Sequence, residues 1–221
     1  MSQNILTINL SPRKLGTSKV MLAKCTDYLT SRGHSVRHVD LYSHLNNIQA
    51  ICNLVGEADT LILAGPCYTN TYPADTIRLL EELEAHSDNL HGQKLYGIIQ
   101  GGMPYAHTHI SGLNMLKIFA KKVGLSYQGG FIMGLGAMLD GQPLSKLPNG
   151  KKVERQLNVF CEHIHNGTVS PDSVYEGSLL KMPGFIAWLL AKAMNKKTDR
   201  SFAKRGMDTH GPSPYLSDEL Q

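Results

Sequence analysis

Apolar residues follow two alternating patterns along this chain. Short runs rich in branched residues, such as 5–10 and 60–64, are typical of strands buried in a sheet. Between such runs, apolar residues recur at every third or fourth position, as Val153, Leu157 and Ile164 do, which is typical of one buried helix face. Five strands alternating with five helices predict an α/β fold with a doubly wound parallel sheet.

The same pattern gives approximate bounds for each element. We predict strands at 5–10, 35–41, 60–64, 95–99 and within 131–139. We predict helices from Thr17 or Ser18 to about 31, and at about 48–55, 74–86, 111–123 and 153–164. The strand at 60–64 is apolar on both sides and is expected at the centre of the sheet, whereas 35–41 mixes charged and apolar residues like an edge strand. In the third helix, Ile77, Leu80 and Leu83 are expected to face inward.

The pattern changes after Gly167. We expect one domain at 1–167 and an extension at 168–221, made of a linker, one apolar helix at about 185–195 and a basic tail. In that helix, Phe185, Trp188 and Leu189 form a short apolar stripe next to lysines. We expect the stripe to dock on its own domain or on a partner subunit, with contact to a membrane surface as the alternative.

The composition and net charge of the chain limit the classes of protein to which it can belong. Apolar residues make up 42% and charged residues 18% of the chain, as in an ordinary globular domain. The sequence begins without a secretory signal pattern, and its longest apolar run is too short to cross a bilayer, so we expect a cytoplasmic protein. The net charge of +4 is small and dispersed. It does not favour nucleic-acid binding, and it weighs against an electron carrier that docks through an acidic face.

Cysteine and histidine spacing does not favour a metal site. The four cysteines, Cys25, Cys52, Cys67 and Cys161, are far apart in the sequence and form no CxxC pair, which opposes a disulfide framework and a zinc or iron–sulfur site. Except for Cys67 they lie on apolar faces and are expected in the core. His107 and His109 have no acidic or cysteine neighbour in the sequence, which favours a rim or packing role over metal binding.

The segment 11–18 joins the first strand to the first helix. It offers the hydroxyls of Ser11, Thr17 and Ser18 and the charge of Arg13. A helix N-terminus with free backbone N–H groups attracts anions, so this segment is suited to a phosphate. It contains neither the dinucleotide-binding GxGxxG motif nor a Walker loop. A capped turn with solvated basic residues is the alternative.

Two further loops, 65–73 and 100–105, follow the third and fourth strands. Because the carboxyl ends of parallel strands meet at one edge of a sheet, we expect both loops beside segment 11–18. The first places Tyr68 and Tyr72 among several polar residues and suits the face of a flat ring. The second contains consecutive glycines that let a ring approach the backbone closely. Ordinary turn residues with tyrosines at the rim are the alternative.

Together, the three loops resemble those of the NAD(P)H-dependent FMN reductases and flavodoxin-like quinone reductases. The matching features are Ser-Pro-Arg-Lys-x-Gly-Thr/Ser after the first strand, Ala58-Asp59 leading to Gly65-Pro66-x-Tyr68 after the third, and Gly101-Gly102 after the fourth. The resemblance covers about residues 4–166. It implies a flavodoxin-like five-stranded parallel sheet in the order 2-1-3-4-5.

The resemblance also implies FMN as cofactor and NADH or NADPH as co-substrate. The residues that would hold the FMN phosphate are Ser11, Arg13, Thr17 and Ser18. Those that would line the flavin ring are Pro66, Cys67, Tyr68, Thr69 and Asn70, with Gly101, Gly102 and Tyr105 at its other edge. Tyr68, Tyr72 and Tyr105 would shape the acceptor pocket. The candidate catalytic residues are Tyr68, Tyr105 and His107, the last as proton donor to a reduced quinone.

By the same resemblance, the chain is expected to be an FMN-dependent NAD(P)H oxidoreductase. Hydride would pass from the nicotinamide to the flavin and on to a quinone-like, nitro or azo acceptor. Many members of the group are homodimers, so we expect a homodimer that meets a small-molecule electron acceptor. The alternative is a flavodoxin-like electron carrier or redox-sensing flavin-binding module without nicotinamide turnover.

Overall fold

The computed structural model describes residues 2–180 and 184–207. Its sheet has five parallel strands in the order β2-β1-β3-β4-β5, which confirms the predicted fold class. The strands are β1 (Asn4–Asn9), β2 (Ser35–Asp40), β3 (Thr60–Pro66), β4 (Lys94–Gln100) and β5 (Ser126–Met133). Every residue of β3 is buried at the centre, whereas only Val39 is buried in the edge strand β2, in agreement with its mixed pattern.

Helices cover both faces of the sheet. They are α1 (Thr17–Ser31), α2 (Ile48–Gly56), α3 (Ala74–Ala85), α4 (Ile110–Val123), α5 (Gly150–Asn166), α6 (Asp172–Glu176) and α7 (Gly184–Ala203). The apolar stripe of α5 is buried as predicted, and α4 and α5 end at Gly124 and Gly167, each in the left-handed conformation that favours glycine. Cys25, Cys52 and Cys161 are buried free thiols, as expected.

Three sequence-based assignments were wrong in detail. Strand β5 begins at Ser126, whereas we predicted it within 131–139. Its central glycines weakened the sequence pattern, and Gly130 is needed because a Cβ there would lie 2.7 Å from Leu113 of α4. In α3, Ile77 is 42% exposed and Leu79 takes the inward position. Helix α7 continues to Ala203, eight residues beyond its predicted end at 195.

The first part of the predicted extension packs in the same compact unit as the sheet, which runs to Leu180. The Ser170 N–H donates to the Gln128 carbonyl at 2.8 Å, and Tyr175 on the short helix α6 is only 2% exposed. A second unit contains α7. The predicted linker end at 181–183 and most of the basic tail, 208–221, lie outside the described residues. No helix among the described residues is long and apolar enough to cross a membrane.

Candidate functional site

A cleft lies at the carboxyl ends of the strands, where the loops after β1, β3, β4 and β5 meet. Eight of the residues predicted to bind a cofactor line it, namely Ser11, Arg13, Thr17, Pro66, Cys67, Tyr68, Gly101 and Gly102. Four lining residues were not predicted: Gly16, Gln100, Ala137 and Asp140. Ser18, Thr69, Asn70 and Tyr105 were predicted but are not among the residues that line the cleft.

Gly16 lines this cleft immediately before the first residue of α1. It adopts an extended conformation as the N-cap of α1, and no side chain caps the helix. The helix begins at Thr17, as predicted, and neither Thr17 nor Ser18 provides a side-chain cap. The first backbone N–H groups of a helix have no partner inside the helix, so this end of α1 presents free donors and the positive end of the dipole.

The hydroxyls of the first loop point in different directions. Ser11 is almost buried, and its Oγ accepts a hydrogen bond from the Arg13 N–H at 3.2 Å. The Thr17 hydroxyl donates to the Gly136 carbonyl at 2.7 Å. Ser18 is fully buried, and its Oγ accepts from the side-chain amide of Gln100 at 3.4 Å. Ser18 thus contacts the protein interior.

The second loop contains a tight reverse turn. Tyr68 and Thr71 exchange backbone hydrogen bonds of 2.7 and 3.2 Å, and the two residues between them, Thr69 and Asn70, have φ angles of 51° and 68°. Left-handed backbone is acceptable for Asn but strained for the branched Thr. The turn leaves Thr69 and Asn70 exposed at its tip, whereas Tyr68 stands at the mouth of the cleft with 47% of its surface exposed.

Tyr72 does not shape the cleft, contrary to the prediction. It is 1% exposed, and its hydroxyl donates to the Ile98 carbonyl at 3.1 Å. Burial raises the pKa of this phenol well above its usual value. Tyr72 is therefore a core residue, and its ring lies where a Cβ on Gly65 would otherwise go.

Cys67 lies in the wall of the cleft between β3 and the turn. Its N–H donates to the Gln100 carbonyl at 2.6 Å, and its thiol donates to the Thr108 carbonyl at 3.2 Å. Burial raises the pKa of the thiol. Because only the thiolate is a good nucleophile, Cys67 contributes a neutral, polarisable surface to the cleft.

The third loop packs on a buried histidine. A Cβ on Gly101 would lie 2.6 Å from Nε2 of His109 and 3.1 Å from the Cβ of Cys67. His109 is 1% exposed, and its Nδ1 donates to the Tyr105 carbonyl at 2.9 Å. Burial lowers the pKa of this imidazole, so His109 is neutral near pH 7. His109 fills the space behind the loop, as the predicted packing role requires.

Tyr105 and His107 lie next to each other in the segment that follows β4. Their rings stack with centroids 5.5 Å apart and an angle of 16° between the ring planes. Both side chains are exposed. The stack forms part of the apolar and aromatic border of this edge of the sheet, together with the exposed side chains of Leu15, Met103 and Met138.

A fourth loop, 134–142, closes the cleft from the side of β5. Leu135, Asp140 and Gly141 all have positive φ angles. The Ala137 N–H donates to the Gly101 carbonyl at 3.4 Å, and Asp140 forms an ion pair with Arg13 at 2.9 Å. Sequence reasoning placed a strand at 131–139 and so missed this loop. Its glycines, Gly134, Gly136 and Gly141, were the available signal.

A family comparison agrees with this architecture. The model of the NADPH-dependent FMN reductase family matches residues 3–133. That range contains all five strands and the first three loops of the cleft. No curated protein matches the sequence significantly.

Several solved structures share the fold. An NADH:FMN oxidoreductase (EMOB) in its apo form superposes with a TM-score of 0.61 at 21% identity, covering 79% of this chain and 94% of that one. An NAD(P)H:quinone oxidoreductase from Methanothermobacter marburgensis gives a TM-score of 0.56 at 15% identity, covering 75% and 96%. An FMN-dependent NADH-azoreductase from Bacillus anthracis, in complex with FMN, gives 0.54 at 13% identity, covering 74% and 100%.

Proposed function

The chain belongs to the NADPH-dependent FMN reductase family, and from this premise we propose that it reduces a quinone-like, nitro or azo acceptor with electrons from NADH or NADPH. The family makes it an NAD(P)H-dependent FMN oxidoreductase. The two substrates would use the cleft in turn, each at the same face of the cofactor. The observation that carries the proposal is that the uncapped N-terminus of α1 and the aromatic side chain of Tyr68 meet in one cleft.

The donor set of the cleft fits FMN. Free N–H groups at the start of α1, with Gly16 adding no side chain, suit the phosphate, and Ser11 and Thr17 line the same end. Gln100 also lines the cleft, and its Oε1 is buried without a hydrogen-bond partner among the described residues. An unpaired buried acceptor is costly. A ring N–H or a ribityl hydroxyl of FMN is the kind of donor that would satisfy it.

When bound, FMN supplies the redox chemistry by taking a hydride from the nicotinamide and passing the electron pair on. The protein would orient the FMN ring and enclose it. Pro66, Cys67 and Tyr68 provide a wall with little charge, and Gly101 and Gly102 leave room at the backbone. The neutral forms of Cys67 and His109 keep competing charges away from this wall.

Tyr68, Tyr105 and His107 are the residues that we assign to the acceptor. Tyr68 stands at the mouth of the cleft, and the exposed Tyr105–His107 stack lies on the loop after β4. Aromatic faces bind flat acceptors well. The imidazole of His107 is exposed and can deliver a proton to an acceptor oxygen or nitrogen as it is reduced.

The same proposal includes the cellular location and the oligomeric state of the enzyme. We assign it to the cytoplasm, where NAD(P)H is supplied and where its four free cysteines stay reduced. We further propose a homodimer. Leu15, Met103 and Met138 are 80%, 53% and 66% exposed around the cleft, which suits contact with a second copy.

A spectroscopic titration tests the proposal. Protein incubated with FMN and freed from excess should stay yellow, and NADH or NADPH added without oxygen should bleach the flavin band within seconds. A quinone should then restore the band. A yellow protein that neither nucleotide bleaches would instead be an electron carrier. A colourless protein that FMN does not protect from heat would contradict both functions.

His107→Gln separates the two half-reactions. We expect bleaching by the nicotinamide to keep its rate, whereas reoxidation by a quinone slows, because the proton donor is gone. His91→Gln is a matched control, since His91 lies on the turn before β4 at the other edge of the sheet. Equal reoxidation rates for His107→Gln and the wild type would remove His107 from the mechanism.

A further inference from the structure

Helix α7 carries a cluster of large exposed apolar side chains. Phe185, Trp188 and Leu189 are 66%, 61% and 52% exposed. Their spacing of three and four residues puts them on one face of the first turns of the helix. Met194, farther along, is 68% exposed. Clusters of this kind on a protein surface mark contacts with a partner or with lipid.

Basic side chains follow immediately after this cluster. Between 192 and 205 the chain carries one acidic residue, Asp199, and six basic residues, Lys192, Lys196, Lys197, Arg200, Lys204 and Arg205. The Lys192 ammonium lies 5.1 Å from the centroid of the Trp188 ring. The positive charge therefore begins where the apolar cluster ends.

We propose that α7 docks on the surface of an anionic lipid bilayer. Apolar side chains beside lysines and arginines are the chemistry of a helix that binds at the boundary between headgroups and acyl chains. Lipid phosphates complement the basic half, and the indole of Trp188 suits the interface. A second copy of α7 is a poorer partner, because a parallel pair would bring its six basic residues against the same six, and an antiparallel pair would place them against the apolar cluster.

The helix lies on the bilayer and does not span it. None of the described helices is apolar enough for a crossing. The long stems of Lys192 and Lys196 can follow the apolar face while their ammonium groups reach the phosphates. Attraction of this kind is screened by salt, so docking is expected to weaken as ionic strength rises. The proposal rests on α7 alone and does not depend on the function proposed for the cleft.

Trp188 makes the test direct, because it is the only tryptophan in the chain. The full-length protein is mixed with vesicles of phosphatidylcholine alone or of equal parts phosphatidylcholine and phosphatidylglycerol. We expect a blue shift of tryptophan emission and co-sedimentation with the mixed vesicles only. Both signals should be reversed by high salt. Absence of the shift with anionic vesicles, or equal binding to both kinds, would overturn the proposal.

A charge variant distinguishes lipid from other partners. Replacing Lys192, Lys196 and Lys197 by Gln should weaken binding to the mixed vesicles on the order of a hundredfold, since each basic side chain near such a surface strengthens it by about fivefold. The control replaces the exposed lysines Lys121, Lys151 and Lys152 by Gln and should bind like the wild type. Equal losses in both variants would contradict the proposal. The proposal would also be contradicted if the wild type bound no vesicles but formed a dimer, and if the first variant lost that dimer.

Discussion

Arg13 and Asp140 form an ion pair across the mouth of the cleft, with 2.9 Å between Nη1 and Oδ1. Their side chains are 67% and 73% exposed, so the pair contributes at most about 1 kcal/mol to folding. Its effect on the site is electrostatic. The carboxylate of Asp140 lies beside the N-terminus of α1 and binds the guanidinium of Arg13, which a phosphate would otherwise contact.

Asp140→Asn is therefore expected to strengthen FMN binding by about threefold to tenfold, because it removes a negative charge near the phosphate and releases Arg13. Riboflavin, which has no phosphate, should bind equally to both proteins. Quenching of flavin fluorescence measures both affinities. Asp88→Asn, on the exposed turn before β4, is the control. Weaker FMN binding by Asp140→Asn would mean that the carboxylate instead orients Arg13 for the ligand.

Neighbouring glycines in the third loop give a matched pair of variants. Gly101→Ala would press a methyl group to 2.6 Å from the His109 ring, and we expect it to lower the free energy of unfolding by about 1–3 kcal/mol. In Gly102→Ala the nearest atom is the Cβ of Ala137 at 3.7 Å, an ordinary contact, so stability should be unchanged.

FMN affinity distinguishes the two glycines further. Gly102 lines the cleft, so Gly102→Ala should weaken FMN binding while its urea unfolding midpoint matches the wild type. Urea denaturation and flavin titration of both variants provide the comparison. Unchanged FMN affinity of Gly102→Ala would show that the loop does not approach the ligand at this residue. A lowered urea midpoint would instead contradict the ordinary contact with Ala137.

The strands other than β5 could be predicted because each has a local sequence signal, whereas the order of the sheet was implied by the resemblance of the loops to those of FMN reductases. The run at β3 and the stripe on α5 depend only on nearby residues and on burial. β5 lacked that signal. Its central glycines leave room for residues distant in sequence, Gly129 for Ser170 and Gly130 for Leu113 of α4. Because glycines weaken a strand pattern, we predicted the strand within 131–139, a range that holds only its last three residues and the loop that follows.

The candidate site could be predicted at the level of loops but not of every side chain. Ser11 and Tyr68 follow strand ends, and the parallel topology brings such ends together. Ser18 on α1 points inward and contacts Gln100 on β4, a residue distant in sequence. Asp140 reaches the cleft through a left-handed backbone conformation at a non-glycine residue, which sequence patterns do not reveal.

The buried His34, which contacts the partly exposed His165, predicts how stability responds to acid. Nδ1 of His34 accepts a hydrogen bond from the Gln3 N–H at 3.1 Å, and Nε2 lies 2.8 Å from Nδ1 of His165. Burial, and then the neighbouring His165, lower the pKa of His34 below its usual value. The unfolded chain therefore takes up a proton first as the pH falls, and protonation of His34 would break its bond to Gln3.

This contribution to stability is complete above about pH 6.5 and is lost as the pH falls below that value. His34→Gln, which has donors and an acceptor but does not titrate, should flatten the decline of the urea midpoint between about pH 7.5 and pH 5. A residual slope is expected, because the pKa of the buried His109 is also lowered. If the slopes of His34→Gln and the wild type coincide, His34 does not carry the effect.

Cys67 offers a chemical probe of ligand placement. It is the one partly accessible cysteine of the four, and burial raises the pKa of its thiol, so iodoacetamide should modify it slowly near neutral pH and faster above about pH 9. Cys25, Cys52 and Cys161 are buried and should react only after unfolding. Because Cys67 lines the cleft, saturating FMN should slow its modification severalfold, whereas Cys67→Ala should show no label in the folded protein. Peptide mass spectrometry measures both rates, and an equal rate with and without FMN would mean that the ring does not cover this wall of the cleft.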